Sequence, residues 1–321
     1  MTVKEQVLAC LEKHRAEAIS GQEVAEMIGV SRTAVWKAIK SLQAKGYPIE
    51  AVNNRGYTLA ESSDKLSEAG ICNYLWEKNR KFNVLVYSTI GSTNQELKKR
   101  AIDGEPEGTV VVADEQTNGR GRLGRTFYSP QETGIYMSIL LRPKMSVTDA
   151  VLITTATSVA VCRAIRSLSD IEPTIKWVND VYVDSHKVCG ILTEAVTNFE
   201  SGHIESLVLG IGLNVKTTMF PDEIKERAGS LEDGNGNMVR NQLAAQVINE
   251  VFEVYDKLQS REFISDYRKW SNVIGKKIRF LEKDEWTEAV ALDVDQNGGL
   301  IVHLPSGQER TLNTGEISVR F

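Results

Sequence analysis

The spacing of apolar residues changes period near residue 64, and that break constrains the fold more than any other feature of the chain. Before it, hydrophobes recur at helical intervals. After it, short runs rich in β-branched residues alternate with longer helical patterns, and past residue 270 only the short runs remain. A chain of 321 residues is ample for two or three domains, and the two pattern changes divide this one into three.

The first segment opens with apolar residues at helical spacing over 3–11. Ser20 then has Glu23 three positions on, a capping-box arrangement that starts a second helix. Gly29 breaks it. Ser31 caps a third helix, in which Val35, Ile39 and Leu42 share one face. Gly46 stops that helix, and 49–52 and 57–59 flank the turn Asn53-Asn54-Arg55-Gly56 as a β-hairpin. Helix, tight turn, helix and a hairpin wing describe a winged helix-turn-helix. The polar, aperiodic stretch 61–64 reads as a linker.

Beyond it, strands are expected at 84–87, 109–114, 135–141, 174–178, 188–196 and 206–214, and helices at 93–102, 147–168 and 241–258. This order gives a mixed sheet covered by helices. Short strands at 277–281, 288–294, 300–303, 309–313 and 317–321, with turns at Asn297-Gly298-Gly299 and Ser306-Gly307, would form a small β-barrel of SH3-like size. The expectation is a multidomain α+β chain: a winged helix over 1–62, a central mixed α/β domain over 66–271 and a β domain over 272–321.

With 41% hydrophobic and 25% charged residues the composition is that of a folded globular protein. No apolar run approaches the roughly 20 residues of a membrane span, and no signal peptide is legible, so the expected compartment is the cytoplasm, with no membrane partner. Cys10, Cys72, Cys162 and Cys189 lack the paired spacing of a zinc or redox motif and read as buried reduced thiols.

The net charge of −5 argues against a protein coated in nucleic acid, yet it hides a local patch. Residues 30–57 hold Arg32, Lys37, Lys40, Lys45 and Arg55 against the single acid Glu50. In a helix-turn-helix the second helix enters the major groove. Ser31, Arg32 and Thr33 at its start, Lys37 and Lys40 on later turns and Arg55 at the hairpin tip are therefore the DNA-contact candidates. The alternative is a solvated basic helix in a protein-interaction module.

The loop Gly119-Arg120-Gly121-Arg122-Leu123-Gly124-Arg125 follows an expected strand. Glycines let backbone N–H groups approach phosphate oxygens, and guanidinium groups bring fixed charge and several donors. The pattern matches neither the phosphate-binding loop nor the dinucleotide fingerprint, and a surface RGG-like segment is the competing reading.

Ser92-Thr93-Asn94-Gln95, 116–125, Lys176-Trp177-Val178-Asn179-Asp180, 187–192, Gly210-Ile211-Gly212-Leu213-Asn214 and Gly315-Glu316-Ile317 occur in the order found in biotin protein ligases. With the winged helix in front and a β domain behind, nearly the whole chain resembles the bifunctional ligase and repressor class of that family. The resemblance implies a central domain of the class II aminoacyl-tRNA synthetase and biotin ligase type. It also implies formation of biotinyl-5′-AMP from biotin and ATP with Mg²⁺, and transfer of biotin to a lysine of the biotin carrier domain of acetyl-CoA carboxylase or pyruvate carboxylase. By the same resemblance, Ser92, Thr93, Asn94, Gln116, Gly119, Arg120, Lys187 and Gly190 hold biotin; Arg122, Lys176, Asn179, Asp180 and Asn214 hold ATP, with Asp180 toward Mg²⁺; and Lys187, Arg120, Arg122 and Lys176 are the catalytic groups. Arg125 aligns with a further basic residue. Ser92 to Asn94 also read as an ordinary N-cap.

In-line attack of a carboxylate on the α-phosphate brings two anions together, so fixed cations are what this chemistry needs. The resemblance further implies that the adenylate acts as corepressor, favouring a homodimer that binds operator DNA. A repressor without catalysis and a lipoate ligase are the alternatives. One departure from the family is Val178 where proline is common, which would loosen the turn without removing a reacting group. Trp177 reads as core.

Overall fold

The computed structural model describes residues 2–143, 150–197, 204–231, 238–282, 285–313 and 317–319. Helix α1 (Val3–Lys13) is closed by a capping box between Thr2 and Glu5, and α2 (Gly21–Ile28) by the box between Ser20 and Glu23. Gly29 takes the left-handed conformation (φ 70°), which turns the chain sharply into α3 (Arg32–Ala44), where Ser31 Oγ accepts from Ala34 N. Strands β1 (Ile49–Val52) and β2 (Gly56–Leu59) form the antiparallel wing. Val7, Leu11, Ile39, Leu42 and Leu59 fill a core of their own, separate from that of the rest of the chain. Each contributes about 1.5–3 kcal/mol on burial.

The stretch read as a linker is gripped on both sides. Arg15 Nη1 donates to the carbonyls of Glu61 and Ser63 (3.0 and 2.7 Å), and the Asp64 carboxylate pairs with Arg240 and Lys216. Helix α4 (Glu68–Tyr74) follows, absent from the sequence expectation because it is short and holds Gly70 and Asn73, both poor helix formers.

The central sheet has seven strands: β3 (Val84–Tyr87), β4 (Val110–Ala113), β5 (Gly134–Leu141), β6 (Thr174–Lys176), β7 (Asp180–Val183), β8 (His186–Thr197) and β9 (Ile204–Asn214). Their spatial order is β3-β4-β5-β9-β8-β7-β6, antiparallel except for the β3–β4 pair. Residues 174–178 do not continue as one strand. The chain turns after Lys176 and re-enters the sheet as β7, with Lys176 opposite Asp180. The apolar Trp177-Val178 pair had disguised that turn.

Alternation along the strands sends Val111, Leu140 and Val208 toward helix α5 (Thr93–Ile102), and Val110, Ile139 and Leu209 toward α6 (Ala150–Leu168) and α7 (Arg240–Asp256). The stretch Val151–Leu168 is long and apolar enough to cross a membrane, contrary to the sequence reading, but 72% of it is buried in this core. Helix α8 (Phe263–Trp270), unmarked in the sequence because polar residues separate its apolar ones, packs Tyr267 beneath the sheet.

Strands β10 (Lys277–Glu282), β11 (Glu285–Val294), β12 (Leu300–His303), β13 (Glu309–Leu312) and β14 (Ile317–Val319) form a five-stranded antiparallel sheet ordered β13-β12-β11-β10-β14. Its inner residues Ile278, Phe280, Ala291 and Val302 belong to the same core as α6 and α7. Gly315 and Glu316 of the last motif lie outside the described residues. Cys10, Cys162 and Cys189 are buried free thiols as expected, whereas Cys72 is only half-buried.

Candidate functional site

One cavity of about 310 Å³ opens over the middle of the seven-stranded sheet. The separate sequence motifs converge on it. Ser92, Thr93, Asn94, Gln116, Arg120, Arg122, Lys176, Asn179, Asp180, Lys187, Gly190 and Asn214 all line it, while Gly119 is buried just behind.

At one end stands the N-terminus of α5. Ser92 occupies the N-cap position but makes no side-chain capping bond. Gln116, from the loop after β4, caps instead: its Oε1 accepts from Thr93 N (2.9 Å) and Thr93 Oγ1 (3.1 Å), and its Nε2 donates to Ser129 Oγ (3.0 Å). Asn94 is wedged further in, donating to Glu194 Oε2 (2.7 Å) and accepting from Ser138 Oγ. A Cβ on Gly210 would meet Asn94 Oδ1 at 2.3 Å, so only glycine leaves room for this amide. Gly212 is bare for the same reason, with Phe127 at 2.5 Å. These two glycines form the floor of the cavity.

The glycine–arginine loop closes on itself. Gly121 N donates to Arg125 O (2.7 Å), Phe127 N to Gly119 O (3.0 Å), and Leu123 stands at its tip with φ 56° and 73% exposure. A Cβ on Gly119 would lie 2.3 Å from Phe127 O, which explains glycine at this crossing. Arg122 Nη1 reaches across the cavity to Asn179 Oδ1 (3.0 Å), and Asn179 in turn bonds Ile191 through both its side chain and its backbone.

On the far wall, Lys187 Nζ lies 2.7 Å from Asp180 Oδ1. Lys176 sits over the Tyr182 ring (5.8 Å). Burial, and then the neighbouring Asp180 charge, push the Tyr182 phenol up to about 12, so it stays neutral at working pH. The turn between β6 and β7 is held firmly without a proline: Trp177 Nε1 donates to Gly298 O (2.9 Å) in the C-terminal sheet, and Tyr267 OH to Val178 O (3.3 Å). Loosening of that turn is not observed, and Trp177 is core, as read from the sequence.

Asn214 ends β9. Its Nδ2 donates to Gly229 O (3.0 Å), while its buried Oδ1 has no hydrogen-bond partner among the described residues. An orphaned buried acceptor is expensive, and this one borders the cavity.

Sequence reasoning missed part of the lining. Phe127, Tyr182, Phe220, Ile224 and Arg227 all face the cavity. Residues 220–228 lack any periodicity that would have marked them; the chain is brought in by Lys187 N donating to Arg227 O and Gly229 N donating to Lys187 O. Among the described lining residues are six cations, Arg120, Arg122, Arg125, Lys176, Lys187 and Arg227, against the single carboxylate of Asp180. Such a surface stabilises several negative charges at once. No group of three metal-ligating side chains occurs among the described residues.

The DNA-contact candidates gather elsewhere. Arg32, Thr33, Lys37 and Lys40 are exposed on α3, and Arg55 is exposed at the wing tip. Ser31 is exposed as well, but spends its oxygen on the helix cap.

Comparison with known proteins gives concordant results. The Biotin/lipoate A/B protein ligase family matches residues 86–214, an HTH domain matches 3–58, and the Biotin protein ligase C terminal domain matches 273–320. The bifunctional ligase/repressor BirA of Bacillus spizizenii is 34% identical over 312 residues, 95% of either chain. That of Escherichia coli is 28% identical over 94% of this chain and 92% of its own. Among solved structures, the biotin protein ligase of Aquifex aeolicus in complex with biotin and ATP superposes with a TM-score of 0.64 at 30% identity, covering 74% of this chain and 98% of that one.

Proposed function

The chain belongs to the biotin protein ligase family, and from that premise we propose that it is a bifunctional enzyme and repressor: it makes biotinyl-5′-AMP from biotin and ATP, passes biotin to a protein lysine, and binds operator DNA. The observation that carries the enzyme reading is the cavity where six cations meet a polar, glycine-floored pocket.

Biotin's ureido ring both donates and accepts hydrogen bonds, which suits the hydroxyl and amide groups of Ser92, Thr93 and Gln116. Asn94, engaged by Glu194 and Ser138, holds the shape of that pocket, while Phe127 over Gly190 and Gly212 offers an apolar surface for the bicyclic ring. The carboxylate then points toward Arg120 and Lys187. ATP lies over Arg122, Lys176 and Asn179, with the orphaned Asn214 oxygen open to a donor such as an adenine amine. Asp180 is a fitting partner for Mg²⁺ arriving with ATP, because that ion needs only one or two protein carboxylates beside water and phosphate oxygens; it would supply charge neutralisation to the phosphates.

A biotin carboxylate oxygen bonds to the α-phosphorus as the bond to the β-phosphate bridging oxygen breaks, releasing pyrophosphate. Lys187, Arg120 and Arg122 offset the charge of the two anions, their contribution being electrostatic rather than acid–base. The mixed anhydride must be kept from water, which gives the glycine–arginine loop a second purpose as cover. An acceptor lysine then attacks the acyl carbon, AMP leaves with the C–O electrons, and the amine's surplus proton passes to solvent.

The same reading includes the finer assignments. We divide the chain at 1–62, 66–271 and 272–321, regard the C-terminal sheet as an SH3-like barrel and the central domain as of the class II synthetase type, and place the protein in the cytoplasm. The acceptor is a carboxylase biotin carrier domain. The adenylate is the corepressor, favouring a homodimer whose paired winged helices fit a two-fold operator. Incubation of the protein with biotin, ATP, Mg²⁺ and an unmodified carrier domain tests the transfer step: the domain should become biotinylated, and lipoate in place of biotin should leave it unmodified. Equal labelling by lipoate would contradict the substrate assignment.

A further inference from the structure

Within α3, Thr33, Trp36, Lys37 and Lys40 fall at i, i+3, i+4 and i+7 and form one exposed stripe, opposite the buried Val35, Ile39 and Leu42. Three of the four can bond phosphates or base edges. The fourth is a tryptophan with 50% of its surface exposed. Two other exposed tryptophans, each less so than Trp36, have a cation over the ring: Lys78 over Trp76 and Arg279 over Trp286. Among the described residues neither the ring nor the N–H of Trp36 has a partner. It forms one wall of a cleft shared with Gly21, Arg32, Thr33 and Tyr57, where the start of α2, the start of α3 and the wing strand meet.

We propose that Trp36 is a specificity-determining residue that reads a thymine methyl group in the major groove of the operator. This inference rests on the DNA-binding half of the proposed function. The stripe carries lysines and no acid, and Arg32 shares its cleft, so its charge complements a polyanion. Trp36 lies just past the first turn of α3, the part of a recognition helix that reaches base edges, whereas Lys37 and Lys40 can extend to the backbone. An indole edge is apolar with a single donor. The thymine C5-methyl is the one apolar group that the major-groove edges display, and contact between the two removes both from water.

The test starts from duplexes selected out of a random library by the full-length protein in the presence of biotin, ATP and Mg²⁺. Each thymine of a selected duplex is then replaced by deoxyuridine, which removes only the methyl. Binding is measured for the wild type, Trp36→Ala and Lys40→Ala, with thermal unfolding as the check that each is folded. We expect one thymine per half-site at which deoxyuridine weakens the wild type by about fourfold, the factor one buried methylene is worth. Trp36→Ala should bind the parent duplex more weakly, lose that discrimination, and keep the wild-type salt dependence. Lys40→Ala should keep the discrimination and lower the salt slope by about two, one phosphate contact from each protomer. If no position discriminates, or if Trp36→Ala discriminates as the wild type does, the assignment of Trp36 is overturned while DNA binding stands. If no duplex is selected at all, the DNA-binding reading falls with it.

Discussion

Single atoms decide the shape of the glycine-floored end of the cavity. A methyl group on Gly212 would lie 2.5 Å from the Phe127 ring, far inside van der Waals contact. Overpacking of this kind costs about 1–3 kcal/mol, so Gly212→Ala should raise the KM for biotin at least about fivefold while leaving that for ATP within about twofold. Steady-state kinetics with each substrate varied in turn would show it, and an equal rise in both would place Gly212 outside the biotin subsite. Asn214→Leu removes the orphaned acceptor two residues further along β9 and should do the reverse, raising the KM for ATP alone. Residues whose chemistry is unusual for a surface were legible in the sequence: the arginines of the loop, Lys176, Lys187 and Asp180 all reached the cavity. Phe127, Tyr182 and Arg227 were not, because an aromatic or basic residue in an aperiodic stretch looks the same whether it faces a ligand or solvent.

At the scale of elements, the junction near residue 64 is more than a spacer. Arg240, 2% exposed at the start of α7, donates to Asp64 through Nε (2.9 Å) and to Asp114 through Nη1 (2.6 Å), and its Nη1 also reaches Gly134 O (3.0 Å). It thereby ties the segment after the winged helix to the end of β4, two residues before Gln116, and to the start of β5, opposite Asn214. Arg240→Met would strip Asp114 of its cation and leave Asp64 with Lys216 alone. Removing one partner of such a group costs about 3–5 kcal/mol, so urea unfolding should report a loss of that order; a loss below about 1 kcal/mol would mean that the network is solvated and weak. Helix α5 and strands β3 and β12 were read from the sequence to the residue, since their apolar periodicity and their terminal signals agree. Strand β7 and helices α4 and α8 escaped because each is eight residues or fewer and its packing, not its pattern, sustains it.

Over the whole molecule, α7 is bound to the short helical turn Glu77–Asn79 by surface charge as well as by core packing. Glu253 is held down to about 2 by hydrogen bonds from Lys257 and then Lys78. Its ordinary value lies near 4.5, so as the pH falls from about 4.5 toward 2 the unfolded chain takes up the proton first, and the stabilising contribution is lost across that window. Glu253→Gln should flatten this part of the stability–pH curve and leave the acid-denaturation profile below pH 2 unchanged; a variant curve parallel to the wild type would show that solvent already screens the pair. Described residues of the C-terminal sheet join the core on the α6–α7 face of the central sheet, so the segments legible as separate in the sequence are not packed as three: α1 to α3 have a core of their own, the central and C-terminal segments share one, and a small cluster under α5 lies on the other face of the central sheet.

Adenylation of biotin in the cationic cavity is the step on which the rest depends. The most direct measurement is exchange of labelled pyrophosphate into ATP, with biotin present or absent, for the wild type beside Lys187→Ala and Arg120→Ala. The structure predicts exchange that requires biotin, is not supported by lipoate, and falls by at least about a hundredfold in either variant, the usual effect of removing one group that stabilises transition-state charge. Biotin binding by the folded wild type without any exchange, or full exchange in both variants, would contradict it.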